Sequence, residues 1–358
     1  MHRSLGLVMM MAIGFCGAGS IFAAPAEMVK VVPHVAEQRV DITVDGRPFT
    51  SYIWPATVKK PVLFPIVDAD GVTLTRGYPL APRAGERTDH PHHDGLWFNY
   101  SNVNGYDFWN NSDAIPAARE PKMGSIRFDR IVSSSSGAHR GELVTESTWI
   151  DGSGKPLIIE TTRFVFASRN GVRSIERTAT LKALDTAVFH DDKDGLLGLR
   201  VASWLESPNA RGGNFTDGSG QITRVSGASP DASGAYLTSE GVKGDAAWGT
   251  RGRWCALTGH TGAHVATIAI FDHPGNPGYP TYWHARDYGL FAANPLGRDN
   301  FDPRQPAMNY TLNQGDTATF RYLVVFYPRA VTAAELNREA DAFAGSPQGV
   351  EKAESAKR

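Results

Sequence analysis

The sequence predicts an all-β protein: a large antiparallel β-sandwich with a short C-terminal helix. Three observations carry this. Between Gly124 and Leu184, four segments with strand-like alternation, "GSIRFDRIV", "GELVTESTWI", "PLIIETTRFVFA" and "VRSIERTATLKAL", are separated by "SSSSGAHR", "DGSGK" and "SRNG", which read as turns. In the second segment Leu143, Thr145, Ser147 and Trp149 fall on one face, as a half-buried strand requires. Helical spacing is convincing only near the C-terminus.

In chain order, the first element is a leader. Arg3 precedes an apolar run from Leu5 to Phe22 that ends in small residues, so residues 1–23 read as a secretory signal peptide and the mature chain begins at Ala24. The expected location is periplasmic or extracellular, with no membrane attachment after the leader is removed, because no later apolar run approaches the ~20 residues of a spanning helix. "RVDITVDGRPFTSYIW" carries an Asp45-Gly46 turn between two strands. After the central meander, "SPNARGGNFTDGSGQITRVSGASPDASGAYL" is the only long irregular insert, read as a solvated loop or a lid. "HVATIAIFD" and "ATFRYLVVFY" are apolar enough for buried strands. Thr332 and Glu335 form a capping box ahead of the stripe Leu336, Ala340 and Phe343. Residues 24–345 read as one β-sandwich domain and 346–358 as a disordered tail.

The 358-residue chain has two cysteines, and with the leader and its Cys16 gone Cys255 is the only thiol of the mature chain, so no internal disulfide forms. A net charge of −1 argues against nucleic acid as a partner, since that contact is made with excess Lys and Arg. Common catalytic signatures are missing: there is no G-x-S-x-G, no P-loop, no Rossmann fingerprint and no H-E-x-x-H.

Chemistry concentrates in three stretches. In "DHPHHDG", extended backbone would aim His90 and His92 to one face and His93 to the other, with Asp94 beside them. That spacing suits proton transfer, or a divalent metal held by His90 and His92. The next residues interleave aromatics with amides and carboxylates, Trp97, Asn104, Asp107 and Trp109 among them. Aromatic faces stack on sugar C–H faces while amides bind hydroxyls, so this mixture suits a carbohydrate. "IFDHPGNPGYPTYWHARDYGLFAANPLGRDNF" carries four prolines, reads as a structured loop, and holds His284, Arg286 and Tyr288, with Arg286 facing either substrate or Asp287. Finally, Arg200, Trp204 and Glu206 at even positions would share one strand face and supply a carboxylate.

At "HPHHDGLWF…VNGYDFW", with "KPVLFPI", "LTRGYP" and "YWHARDYGLFAANPLG", the chain resembles the bacterial methane oxygenase PmoA-like family, from about Val40 to Tyr327. The resemblance implies a β-supersandwich like that of galactose mutarotase-like proteins, and export by bacteria that degrade polysaccharides. It brings no settled set of catalytic residues.

The leading expectation is therefore an exported carbohydrate-active enzyme that cleaves a glycosidic bond of an oligo- or polysaccharide, by hydrolysis or elimination. Its catalytic candidates are His92, His93, Asp94, Glu206 and His284. Its binding candidates are Arg76, His90, Trp97, Asn104, Asp107, Trp109, Arg200, Arg286 and Tyr288. The alternatives are a non-catalytic carbohydrate-binding protein and a metal-dependent oxidase using His90 and His92; no cofactor is firmly implied.

Overall fold

The computed structural model describes residues 26–346 apart from 210, 228 and 230. The expectations for the leader and for the tail past Ser346 lie outside the described residues. Among the described residues no helix is long and apolar enough to cross a membrane.

Two large antiparallel sheets dominate. The first runs, strand beside strand, Tyr282–Ala285, Leu290–Asn294, Gly195–Arg200, Leu96–Tyr100, Val62–Leu63, Arg47–Ile53, Arg39–Val44, Met28–His34 and Gly137–Ala138. The second runs Ala235–Thr238, Trp254–Thr261, His264–Asp272, Thr317–Tyr327, Val172–Ala183, Pro156–Arg169, Arg140–Ile150 and Ser125–Ser135. The four central segments read from the sequence pair in that order. In Arg140–Ile150 the expected face, Leu143, Thr145, Ser147 and Trp149, is the buried one.

The sheets share one core. Phe98 of the first meets Trp149 and Phe320 of the second, and Phe49 meets Phe166 and Phe326, mostly edge-on. Asp45 and Gly46 both adopt positive φ (49° and 76°), as the tight turn between the first strands demands. The C-terminal helix Ala333–Gly345 has both hydrogen bonds of its capping box and lays Leu336, Ala340 and Phe343 on the outer face of the second sheet, against Trp254, Phe271 and Tyr327.

Strand Leu96–Tyr100 is buried on both faces. Phe98 points into the core between the sheets, while Trp97 points outward into a smaller cluster with Val62, Trp109, Leu290 and Ala292. The segments 64–95 and 101–124 cover this outer face, and the site lies there.

Two expectations are corrected. The Pro- and Gly-rich stretch around 270–301 is not only loop: Tyr282–Ala285 and Leu290–Asn294 are paired strands joined by the turn Arg286–Gly289, where Arg286 N–H donates to Leu290 O at 2.8 Å. The sheet overrode the local breakers, because Trp283 and Ala285 face the core while Ala292 faces the outer cluster. Within the Gly/Ser-rich insert, Gly213–Thr216 and Ile222–Val225 form a hairpin. Its first strand pairs back onto the 85–88 segment, Thr88 N–H donating to Asn214 O at 2.9 Å.

Candidate active site

The cleft is built on a register row. His284 pairs with Ala292, Ala292 with Gly198, and Gly198 with Trp97, so the four residues lie side by side on the outer face of four adjacent strands. At ~4.8 Å per strand the row spans ~14 Å. The two central residues are the small ones, which leaves a hollow between His284 and the wall that Trp97 supports. Only glycine fits at 198: a Cβ there would lie 2.4 Å from the Trp97 ring and 2.9 Å from Trp109.

Above this row lies a cavity of about 450 Å³, within the ~300–1,000 Å³ usual for small-molecule sites. His90, His92 and His93 line it together with His284, Arg286 and Tyr288, so segments almost 200 residues apart confront one hollow. Arg87, Asp89, Trp109, Asn110, Lys193, Asp194 and, from the insert, Asn209, Arg211 and Gly212 complete the wall.

The His90–His93 segment is a turn rather than a strand, closed by His93 N–H donating to His90 O at 3.0 Å, with His90 at φ 44°. The expected pairing of His90 with His92 is therefore replaced by His90 with His93. Their rings are parallel at 4.8 Å, and Tyr288 lies parallel to His90 at 4.9 Å. Two buried arginines hold the turn. Arg76 and Arg200 each donate to Asp89 Oδ1 at 2.7 Å. Arg76 also donates to the carbonyls of Asp89 and His90, and Arg200 Nη1 lies 3.2 Å from His93 Nδ1. Burial opposes the charge on Asp89, but Arg200 and Arg76, with His90, outweigh it and hold the carboxyl well below its usual range. Arg76 and Arg200, expected to bind substrate, are thus positioning residues with 1% and 0% exposure.

His284 has a defined tautomer. Its Nδ1 lies 3.0 Å from Lys193 O, and a carbonyl can only accept, so Nδ1 carries the hydrogen and Nε2 keeps its lone pair. Burial, then the charges of Lys193 and Arg286, lower its pKa to about 3. His92 is lowered to about 2, by burial and then Lys60, and its buried Nε2 has no partner among the described residues. Tyr288 moves the other way: burial raises its hydroxyl to about 12 against the pull of Arg200 and Arg286. At neutral pH His92, His93 and His284 are therefore held unprotonated and the Tyr288 phenol protonated. Asp287 pairs with Arg211 at 2.7 Å rather than with its neighbour, and among the described residues the Arg286 guanidinium has only ring contacts, to Trp248 and Tyr288.

Of the remaining candidates only Trp109 reaches the cleft, by a ring edge. Asp94 leaves the cleft and sits 3.6 Å from Lys60, facing a second hollow. Glu206 is buried behind the wall, where it accepts from Arg87 Nε at 2.9 Å; burial outweighs Arg200 and Arg87 and raises it to about 7. The Arg200, Trp204 and Glu206 row does not form, since the strand ends at Arg200 and Ser203–Leu205 is a 3₁₀ turn. Trp97 and Trp109, expected as an open sugar platform, are 0% and 1% exposed, their rings stacked on or edge-on to His93. Asn104 and Asp107 spend their polar atoms on backbone groups and Asn110. Among the described residues no three His, Cys, Asp or Glu converge as a metal-ligand set.

Sequence reasoning missed Arg87, Asn110, Lys193, Asn209 and Arg211, and gave Asp89 and Asp194 no role of their own. The one available signal was Asp89, placed directly before the histidines. The others reach the cleft only through pairing of distant segments.

Fold and site define an antiparallel β-sandwich with a polar, arginine-rich cleft on its outer face. The chain belongs to a family of unknown function, DUF6807, whose profile matches residues 39–341. No curated protein sequence matches it. Among solved structures it is similar to a galactose 1-epimerase from Lactobacillus acidophilus NCFM (10% identity, 86% of this chain and 100% of that one, TM-score 0.39). It is also similar to a galactose mutarotase-like protein from Clostridium acetobutylicum (10%, 85% and 99%, 0.38) and to an α-galactosidase from Lactobacillus brevis (9%, 84% and 39%, 0.34).

Proposed function

We propose that the protein is a carbohydrate-active enzyme that cleaves a glycosidic bond next to a uronate by elimination. The observation that carries this reading is geometric: His284, with Nε2 left as an acceptor, and the Tyr288 phenol line one cavity with the Arg286 guanidinium, which has no carboxylate partner among the described residues.

Ordinary glycosidase chemistry needs two carboxyls, one of them able to donate a proton. Asp89 is held ionised between two arginines, Asp194 is paired with Lys193, and Glu206 is buried behind Arg87, so none of the three is placed as a free acid. Elimination asks for different groups. Arg286 would bind the substrate carboxylate and stabilise the negative charge that develops as the adjacent C–H bond breaks. His284 Nε2 would accept that proton, and the C–H electron pair would form the new C=C bond. The C–O bond to the leaving sugar then breaks, and its oxygen takes a proton from Tyr288. No water is consumed. Burial is the larger cause of the low His284 pKa; an anionic substrate would offset the smaller part due to Lys193 and Arg286 and so raise its basicity. The orphaned Nε2 of His92 supplies a further polar contact for a hydroxyl.

The leader, if cleaved as its pattern suggests, would deliver this activity to polysaccharide outside the cytoplasm. The test is incubation with uronate-containing polysaccharide fragments, reading product masses. Elimination gives an unsaturated fragment lighter by one water than the hydrolysis product; a gain of water would refute the mechanism.

A further inference from the structure

The turn His90–Asp94 has two sides. His90, His92 and His93 line the cleft, whereas Pro91 and Asp94 line a second hollow of about 510 Å³. The same division holds one segment further on, where Asn110 faces the cleft and Asn111 the second hollow. The two cavities therefore share both of these segments as walls.

The second hollow has a different character. Tyr78, Pro79, Leu80 and Pro91 give it half-buried apolar edges. Its charges cancel: Lys59 pairs with Asp113, and Lys60 with Asp94. At its base Asp94 is 5% exposed, and its Oδ1 has no hydrogen-bond partner among the described residues. A buried carboxyl oxygen left without a partner is costly unless something else supplies a donor.

We propose that this hollow is a subsite for an uncharged sugar residue of the same polymer whose uronate occupies the cleft, with Asp94 Oδ1 accepting from a hydroxyl. The inference rests on the function proposed above. The apolar rim would meet a ring's C–H face, and the lack of net charge separates this subsite from the arginine-rich cleft. Burial outweighs Lys60 and raises the Asp94 pKa, so its carboxyl holds a proton more readily than an exposed one and can also donate.

The experiment compares a disaccharide and a tetrasaccharide of alternating uronate and neutral sugar, by calorimetry, on the wild type and on Ala114→Trp and Thr57→Trp. Both substitutions place an indole at exposed positions on the rim and do not touch the cleft. The wild type should bind the tetrasaccharide at least tenfold more tightly than the disaccharide, and both variants should erase that advantage while leaving disaccharide binding unchanged. If the wild type binds both equally and the variants change nothing, the subsite is refuted while the cleft reading stands. If the wild type binds neither, the cleft reading fails and the subsite fails with it.

Discussion

Gly198→Ala is the sharpest probe of how the cleft is made. The added methyl would lie 2.4 and 2.5 Å from two carbons of the Trp97 ring and 2.9 Å from Trp109, far inside normal contact. Neither indole can yield easily, because both are essentially unexposed and Trp97 is stacked at 5.2 Å on His93. Overpacking of this kind costs up to about 3 kcal/mol. Against it, alanine restricts the unfolded chain and returns about 1 kcal/mol. The net loss is then about 2 kcal/mol, and at roughly 2 °C per kcal/mol for a large domain the melting temperature falls by about 4 °C. Gly218, which has open space around it, is the control: Gly218→Ala keeps the unfolded-chain gain without a clash and should melt up to about 2 °C above wild type. Circular dichroism melts of the three proteins decide the matter. Equal melting temperatures for Gly198→Ala and wild type would show that the floor is not packed as described.

Arg286→Ala should leave stability within about 0.5 kcal/mol, because among the described residues Arg286 has no ion-pair partner and its side chain makes only ring contacts. It should weaken binding of a uronate disaccharide by about tenfold or more, and unchanged affinity by calorimetry would remove Arg286 from recognition. Asp89→Asn leaves Arg76 and Arg200 facing each other without a full counter-charge and should cost about 2 kcal/mol, after allowance for the 35% exposure of the Asp89 side chain; an unchanged denaturant midpoint would contradict this. Glu206 has a folded pKa raised from 4.5 to about 7, so between those values the folded state binds more protons and Glu206 contributes stability that is lost as pH rises. Glu206→Gln lacks that loss, so its melting temperature should gain on wild type from pH 5 to pH 7; a constant difference would refute the assignment.

Much of the sandwich was legible because long strands with one buried face leave period-two patterns, as in Arg140–Ile150, and because Thr332 and Glu335 mark a helix start by their own chemistry. What failed was local reading of segments governed by tertiary pairing. Tyr282–Ala285 is short and lies among prolines, yet it pairs with Leu290–Asn294 because its alternation of Trp283 and His284 matches a sheet buried on both faces. The turn of the insert toward segment 85–88 is likewise set by hydrogen bonds that no local pattern announces.

For the site, the histidine cluster and the 284–288 segment, both singled out in the sequence, line one cavity. Residue type alone misassigned the rest. Trp97 and Asn104 have the side chains of a sugar platform, but burial and backbone hydrogen bonds employ them in the scaffold. Arg76 and Arg200 likewise hold a loop, since a buried guanidinium finds its partners in nearby carbonyls and Asp89. Whether a polar residue meets a ligand or the chain itself depends on which strand lies beside it, as the row from His284 to Trp97 illustrates.

The most direct test is a crystal structure of the His284→Gln variant, which removes the base, soaked with a uronate-containing tetrasaccharide. The account predicts the carboxylate on the Arg286 guanidinium, the Tyr288 hydroxyl within hydrogen-bond distance of the glycosidic oxygen, and the adjacent C–H directed at residue 284. A sugar bound with its carboxylate away from Arg286, or bound only outside the hollow between residues 92 and 286, would contradict it.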